Sequence, residues 1–110
     1  MKLNMPFDGS KIQIMRVRVA DWGGNAVHFR YNGQTYRASI QEDPDREDES
    51  GNRVTYARLQ IADKNGNWGD NIATEDGVDV IPVSQYDQST PYKFYDTASF
   101  AESLNSLFVR

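Results

Sequence analysis

The chain has no cysteine and only one histidine, His28. Without thiols there is no disulfide framework, no thiolate nucleophile and no cysteine-bound zinc. A catalytic triad would have to be assembled around His28 alone, and no Gly-x-Ser-x-Gly motif accompanies it. Glycine-rich phosphate loops and Gly-x-Gly-x-x-Gly are absent as well. Long apolar runs are equally scarce: the opening MKLNMPFDGSK contains nothing that would serve as a signal peptide or membrane span. These absences predict a soluble, cytoplasmic protein that is not an enzyme, holds no cofactor or metal and has no membrane partner. A small hydrolase without a recognisable motif ranks last among the readings, because no positive feature supports it.

What is present suits one globular domain, residues 1–110. A chain of 110 residues with 38% hydrophobic and 25% charged residues removes roughly two thirds of its unfolded surface from water. Its mean hydropathy of -0.72 marks a polar chain, in which 5 Phe, 6 Tyr and 2 Trp supply core volume that the aliphatic residues do not. Charge is divided unevenly. Residues 1–41 carry six Lys/Arg against two acids, whereas residues 42–110 carry six against fourteen. The net charge of -4 thus conceals two regions of opposite sign.

Periodicity predicts an α+β fold, mainly β: an antiparallel, coiled or barrel-like sheet of about five to six strands with one C-terminal helix. KIQIMRVRVA (11–20) is strand-like, but its apolar parity changes between Ile14 and Met15, which implies a bulge or bend. AVHFRYNGQTYRASI is a hairpin turning at Asn32-Gly33, with Val27, Phe29, Tyr36 and Ala38 on one face and His28, Arg30, Arg37 and Ser39 on the other. RVTYARLQIAD (53–63) is a further long strand whose parity also shifts, from Val54 and Tyr56 to Leu59 and Ile61. EDGVDVIPV reads as a turn at Asp76-Gly77 entering a short edge strand, and PYKFYD as one more. The period then becomes helical: Phe100, Leu104, Leu107 and Phe108 form a stripe, preceded by Asp96, Thr97 or Ser99 as the cap.

The most unusual segment is IQEDPDREDESGNR (40–53), where Glu42, Asp43, Asp45, Glu47, Asp48 and Glu49 have only Arg46 to answer them. Pro44 and Gly51-Asn52 predict a solvated loop between strands. Read functionally, its carboxylates stand in for phosphates and occupy a basic groove on another protein. This makes the first-ranked expectation a non-enzymatic protein-binding module, a small acidic inhibitor of nucleic-acid-handling machinery of the phage anti-defence type. Trp22 in DWGGN and Trp68 in GNWGDN are further partner-binding candidates, or else rings that plug an open end of the sheet.

The alternative is an OB-like, nucleic-acid-binding small barrel that uses Arg16, Arg18, Arg30 and Arg37. Alternation weakens it, because it sends Phe29, Tyr31 and Tyr36 inward and the arginines outward, and the acidic pI of about 4.8 counts against it. DKNGNWGD resembles a calcium loop at Asp63, Asn65 and Asn67. Trp68 occupies its glycine position, though, and a strand-connecting turn at Asn65-Gly66 is the simpler reading.

Overall fold

In the computed structural model, residues 1–19, 25–87 and 94–110 are described. A single 3-10 turn, Gly9–Lys11, leads into strands β1 (Ile12–Val19), β2 (Asn25–Tyr31), β3 (Gln34–Glu47), β4 (Arg53–Ile61) and β5 (Ala73–Asp76). They form one antiparallel sheet in the order β1-β2-β3-β4-β5. The short strands β6 (Gln85–Asp87) and β7 (Phe94–Tyr95) pair separately, and helix α1 (Thr97–Phe108) follows. The fold is α+β and mainly β, as the periodicity predicts, and the sheet is open rather than closed into a barrel.

The β2–β3 hairpin turns where expected. Asn32 and Gly33 both have positive φ, 49° and 78°, as a two-residue type I′ turn requires. That turn sets the register Phe29↔Tyr36 and Val27↔Ala38 and aligns the inner face. Phe29, fully buried, stands at its centre. Tyr36 stacks on it at 5.2 Å, while Phe7 and Phe100 meet it edge-on at 5.8 and 5.2 Å. Each such pair adds about 0.5–1.5 kcal/mol beyond the area it buries.

Helix α1 covers this face with buried Phe100, Ala101, Leu104 and Phe108. Leu107, expected in the same stripe, is only half-buried. Asp96 is the N-cap, its carboxylate accepting from the Ser99 amide at 3.0 Å. No basic residue lies in the helix's last turn. Lys2 supplies one from outside, bonding both the Leu107 carbonyl and Glu75 and complementing the negative end of the helix dipole. The helix start sits so close to Gly9 that a Cβ there would come within 2.8 Å of the Ala98 Cα and the Thr97 carbonyl.

Two asparagines stitch the long connections to this frame. The side chain of Asn25 accepts from the Ile81 amide and donates to its carbonyl, at 2.7 and 2.9 Å. Asn105 does the same for Phe7, at 2.7 and 3.1 Å. Each amide takes the place of a missing strand neighbour, which leaves the buried polar groups paired.

Several expectations are corrected. The parity change in β1 is a bulge between Ile14 and Arg16, but β4 pairs continuously from Val54 to Ile61. Val54 and Tyr56 simply share the outer parity of Arg58 and Gln60, so no bulge exists there. Near Gly77 the strand precedes the turn, as β5, and no strand lies within 78–84. The acidic segment is not a loop from Glu42 onward. Strand β3 continues to Glu47, with a register shift between Asp43 and Glu47 that accommodates Pro44. Only 48–52 forms the connection. PYKFYD is described from Phe94 onward, where β7 begins, and Trp22 lies outside the described residues.

Candidate functional site

The face of the sheet away from α1 carries the charged side chains that alternation sends outward. Register arranges them in rows. One row crosses four strands as Arg16–His28–Arg37–Gln60, and the next crosses five as Arg18–Ala26–Ser39–Arg58–Thr74. Arg30 stands beyond them, between Gln13 and Thr35. Neighbouring strands are about 4.8 Å apart, so these cations are crowded. Among the described residues, no carboxylate forms an ion pair with Arg16, Arg18, Arg30, Arg37 or Arg58.

The crowding affects titration. Burial first, then Arg37, Arg16 and Arg18, lower the pKa of His28 below its ordinary 6.5, so the imidazole is neutral at pH 7. Burial, then Arg58 and Arg18, also lower the pKa of Arg37. A like-charged cluster held this closely destabilises the free protein and favours an anion arriving from outside.

Trp68 completes the face. The chain leaves β4 through a tight turn in which Asp63 Oδ1 accepts from the amides of Asn65 and Asn67, at 2.8 and 2.9 Å. That occupies the carboxylate as a turn lock and matches the strand-connecting reading of DKNGN rather than a calcium loop. The chain then returns to pair Trp68 with Ala62. Trp68 is half-buried, with the Arg37 guanidinium 4.5 Å from its ring centroid and the His28 ring 5.4 Å away, edge-on. Arg37 is itself held by Nε donating to Gln60 Oε1 at 3.1 Å, with a second bond from Nη2. Buried Gln60 in turn donates to the Gly69 carbonyl at 2.8 Å, which ties the tryptophan loop to the sheet. The cation–π contact is therefore fixed from both sides.

Two concavities flank this stack. A cavity of about 100 Å³ is lined by Arg18, His28, Arg37, Ser39 and Arg58, room for a few waters at roughly 30 Å³ each or for one small anion. Arg58 Nε donates to Ser39 Oγ at 3.2 Å, which leaves its two terminal nitrogens without a protein acceptor among the described residues. A separate cleft of about 570 Å³ is lined by Trp68, Arg30, Gln34, Thr35, Asp63 and Lys64 among others, and not by Arg37.

The acidic candidates lie elsewhere and divide into two sets. Asp43 and Asp48 serve the backbone. Asp43 accepts from the Asp45 amide and from Arg46, at 2.9 and 2.6 Å, and Arg46 reaches Asp76 with two bonds of 2.8 and 3.0 Å. The backbone bond and then Arg46 lower the pKa of Asp43, and Arg46 lowers that of Asp76. Asp48 Oδ1 accepts from the amides of Ser50 and Asn52. Glu42, Asp45, Glu47 and Glu49 are exposed and have no hydrogen-bond or ion-pair partner for their carboxylates among the described residues.

Sequence reasoning recognised four arginines of the face and missed Arg58, Gln60 and the way Trp68 joins them. The signal was available for the first two: once β4 pairs with β3, Arg58 and Gln60 must share the parity of Arg37. The tryptophan arrives through a turn, which carries no periodicity. No protein-family model, curated protein or solved structure matches the chain, and no helix among the described residues is long and apolar enough to cross a membrane.

Proposed function

We propose that the protein is a non-enzymatic, cytoplasmic binding module that takes nucleic acid across the open arginine face of its sheet. The observation that carries this reading is the meeting of Trp68 with the unpaired arginines on one face. Alternation within the strands separates aromatics from cations, which is the main sequence argument against a nucleic-acid surface. A ring delivered by a turn escapes that argument. The acidic pI is a sum over the chain, whereas binding responds to the local potential. Six of the sixteen carboxylates lie in the β3–β4 hairpin arm, where Arg46 pairs with Asp43 and also reaches Asp76 of β5.

Titration of oligonucleotides at about 50 and about 200 mM salt tests this directly. Neutralising about four phosphates of a single strand gives a log–log salt slope of roughly -3. Salt-independent binding, or none to any oligonucleotide, would refute the reading.

The hairpin arm supports a second reading, the acidic inhibitor of a basic protein groove. The favouring observation is that Glu42, Asp45, Glu47 and Glu49 project from an arm that is largely paired strand rather than from a long flexible loop. Replacing these four with Ser should abolish capture of basic partners from a host lysate and slow their association. Asp43 and Asp48 stay intact in that variant because they hold the arm together. On the nucleic-acid reading, the same variant binds oligonucleotides at least as tightly as the unmodified protein.

A further inference from the structure

We infer that the arginine face is built for an unpaired strand: one base stacks on Trp68 from the side of its cleft while a phosphate further along the same strand enters the cavity between Arg18, Arg37 and Arg58. This rests on the nucleic-acid reading and adds the class of strand and the two contacts that select it. Arg37 joins the two subsites. It lines the cavity and its guanidinium packs over the indole, while Trp68 also lines the cleft of Arg30, Gln34 and Lys64, which Arg37 does not line.

The stack is organised before any ligand arrives. Gln60 fixes the guanidinium through two hydrogen bonds and fixes the tryptophan loop through Gly69. Little conformational freedom is therefore lost when a base completes an Arg–Trp–base column. In a duplex the bases are already stacked and paired, and their faces are not presented to a ring standing on a protein surface. A duplex can therefore meet the arginines through its phosphates but cannot use Trp68. An unpaired strand can use both, because every base has a π-face and the contact tolerates any sequence.

The cavity suits the phosphodiester for separate reasons. Both terminal nitrogens of Arg58 are free among the described residues, since only its Nε is bound, to Ser39. Arg18 has no protein acceptor among those residues either. The cavity of about 100 Å³ has room for one tetrahedral oxyanion, and the cleft of about 570 Å³ that Trp68 lines has room for a base.

The test compares three ligands of equal charge on the unmodified protein: a mixed-sequence single strand, the same backbone with abasic sites throughout, and a blunt duplex of matched phosphate count. The base-bearing strand should bind roughly tenfold or more tightly than the abasic one, with a similar salt slope. In a Trp22→Phe background, the base-bearing strand alone should quench the fluorescence of Trp68. Trp68→Leu should bring the base-bearing strand down to the affinity of the abasic strand and leave duplex binding unchanged. Equal affinities for base-bearing and abasic strands, with no quenching, would overturn the inference and leave an electrostatic nucleic-acid surface standing. Failure of all three ligands to bind would instead remove the reading underneath it.

Discussion

The two faces of the five-stranded sheet are made from alternate residues of the same strands, yet they obey opposite rules. Toward α1, Val27, Phe29, Ala38, Ile40, Ala57 and Leu59 are buried, and the aromatic rings meet at stacking or edge-on distances. Every contact there lowers the free energy of the isolated chain. On the other face, Arg16, Arg18, Arg37 and Arg58 gather around His28, and the repulsion among these like charges raises it. Only a few kilocalories separate a folded domain from its unfolded chain, so a surface that works against folding requires another explanation. The one favoured here is that its stabilising partner is a ligand.

Stripping the helix from the inner face should produce the largest effect. A chain ending after Ser99 loses Phe100, Leu104 and Phe108, each worth about 2 kcal/mol when buried, which together approach the whole stability of a domain. Circular dichroism should find no cooperative melt; a transition near that of the full chain would show the helix dispensable. Gly9→Ala disturbs the same layer more gently. Its Cβ would meet backbone at 2.8 Å and should cost about 1–3 kcal/mol in denaturant unfolding.

Across the sheet the sign reverses. Arg16→Gln with Arg18→Gln removes two exposed charges that have no ion-pair partner among the described residues. Melting temperature should stay level or rise, with a change within about 0.5 kcal/mol. The salt slope for oligonucleotides should fall by about 1–2. A clear loss of stability would show that these arginines serve the fold.

The smallest effect is a pH dependence. Folding lowers the pKa of His28 below 6.5, so below that value the unfolded chain binds more protons and acidification erodes stability. His28 faces Arg16 and Arg18 of β1, Arg37 of β3 and Trp68, and a phosphate bound in the cavity that His28 lines with Arg18, Arg37 and Arg58 would favour the imidazolium and raise that pKa. Affinity should therefore increase as pH falls from about 7.5 to about 5.5, and His28→Gln should flatten the added pH dependence.

Much of the inner face was legible in the sequence because burial enforces period. Asn32-Gly33 sets the hairpin, Phe100 and Leu104 keep helical spacing, and the parity break at Met15 marks a true bulge. The outer face was legible only through its partner. Val54 and Tyr56, read as core residues by their hydrophobicity, lie on the arginine side, and this misreading concealed Arg58 and Gln60. Pro44 lacks an amide donor, which gives the acidic run the local signature of a loop. In fact the strand bulges around it and resumes pairing at Glu47. Trp68 depends on three hydrogen bonds among residues as far apart in sequence as Arg37 and Gly69, and no local pattern encodes that.

One motif occurs twice in this chain without announcing itself as a repeat. Asp48-Glu-Ser-Gly-Asn52 and Asp63-Lys-Asn-Gly-Asn67 fold into the same turn, in which the aspartate amide donates to the final asparagine carbonyl at 2.7 and 2.8 Å. Their glycines have φ of 80° and 82°, and one carboxylate oxygen locks two amides in each. The two residues between aspartate and glycine are all exposed and contribute little to the turn beyond their own amides. Shape and charge are therefore specified by different letters of one five-residue word. Glu49→Lys with Ser50→Asn would write the second turn into the first and change the hairpin tip from acidic to neutral on an unaltered backbone. The tip's charge is thus an adjustable quantity, open to selection or to an experimenter independently of the fold.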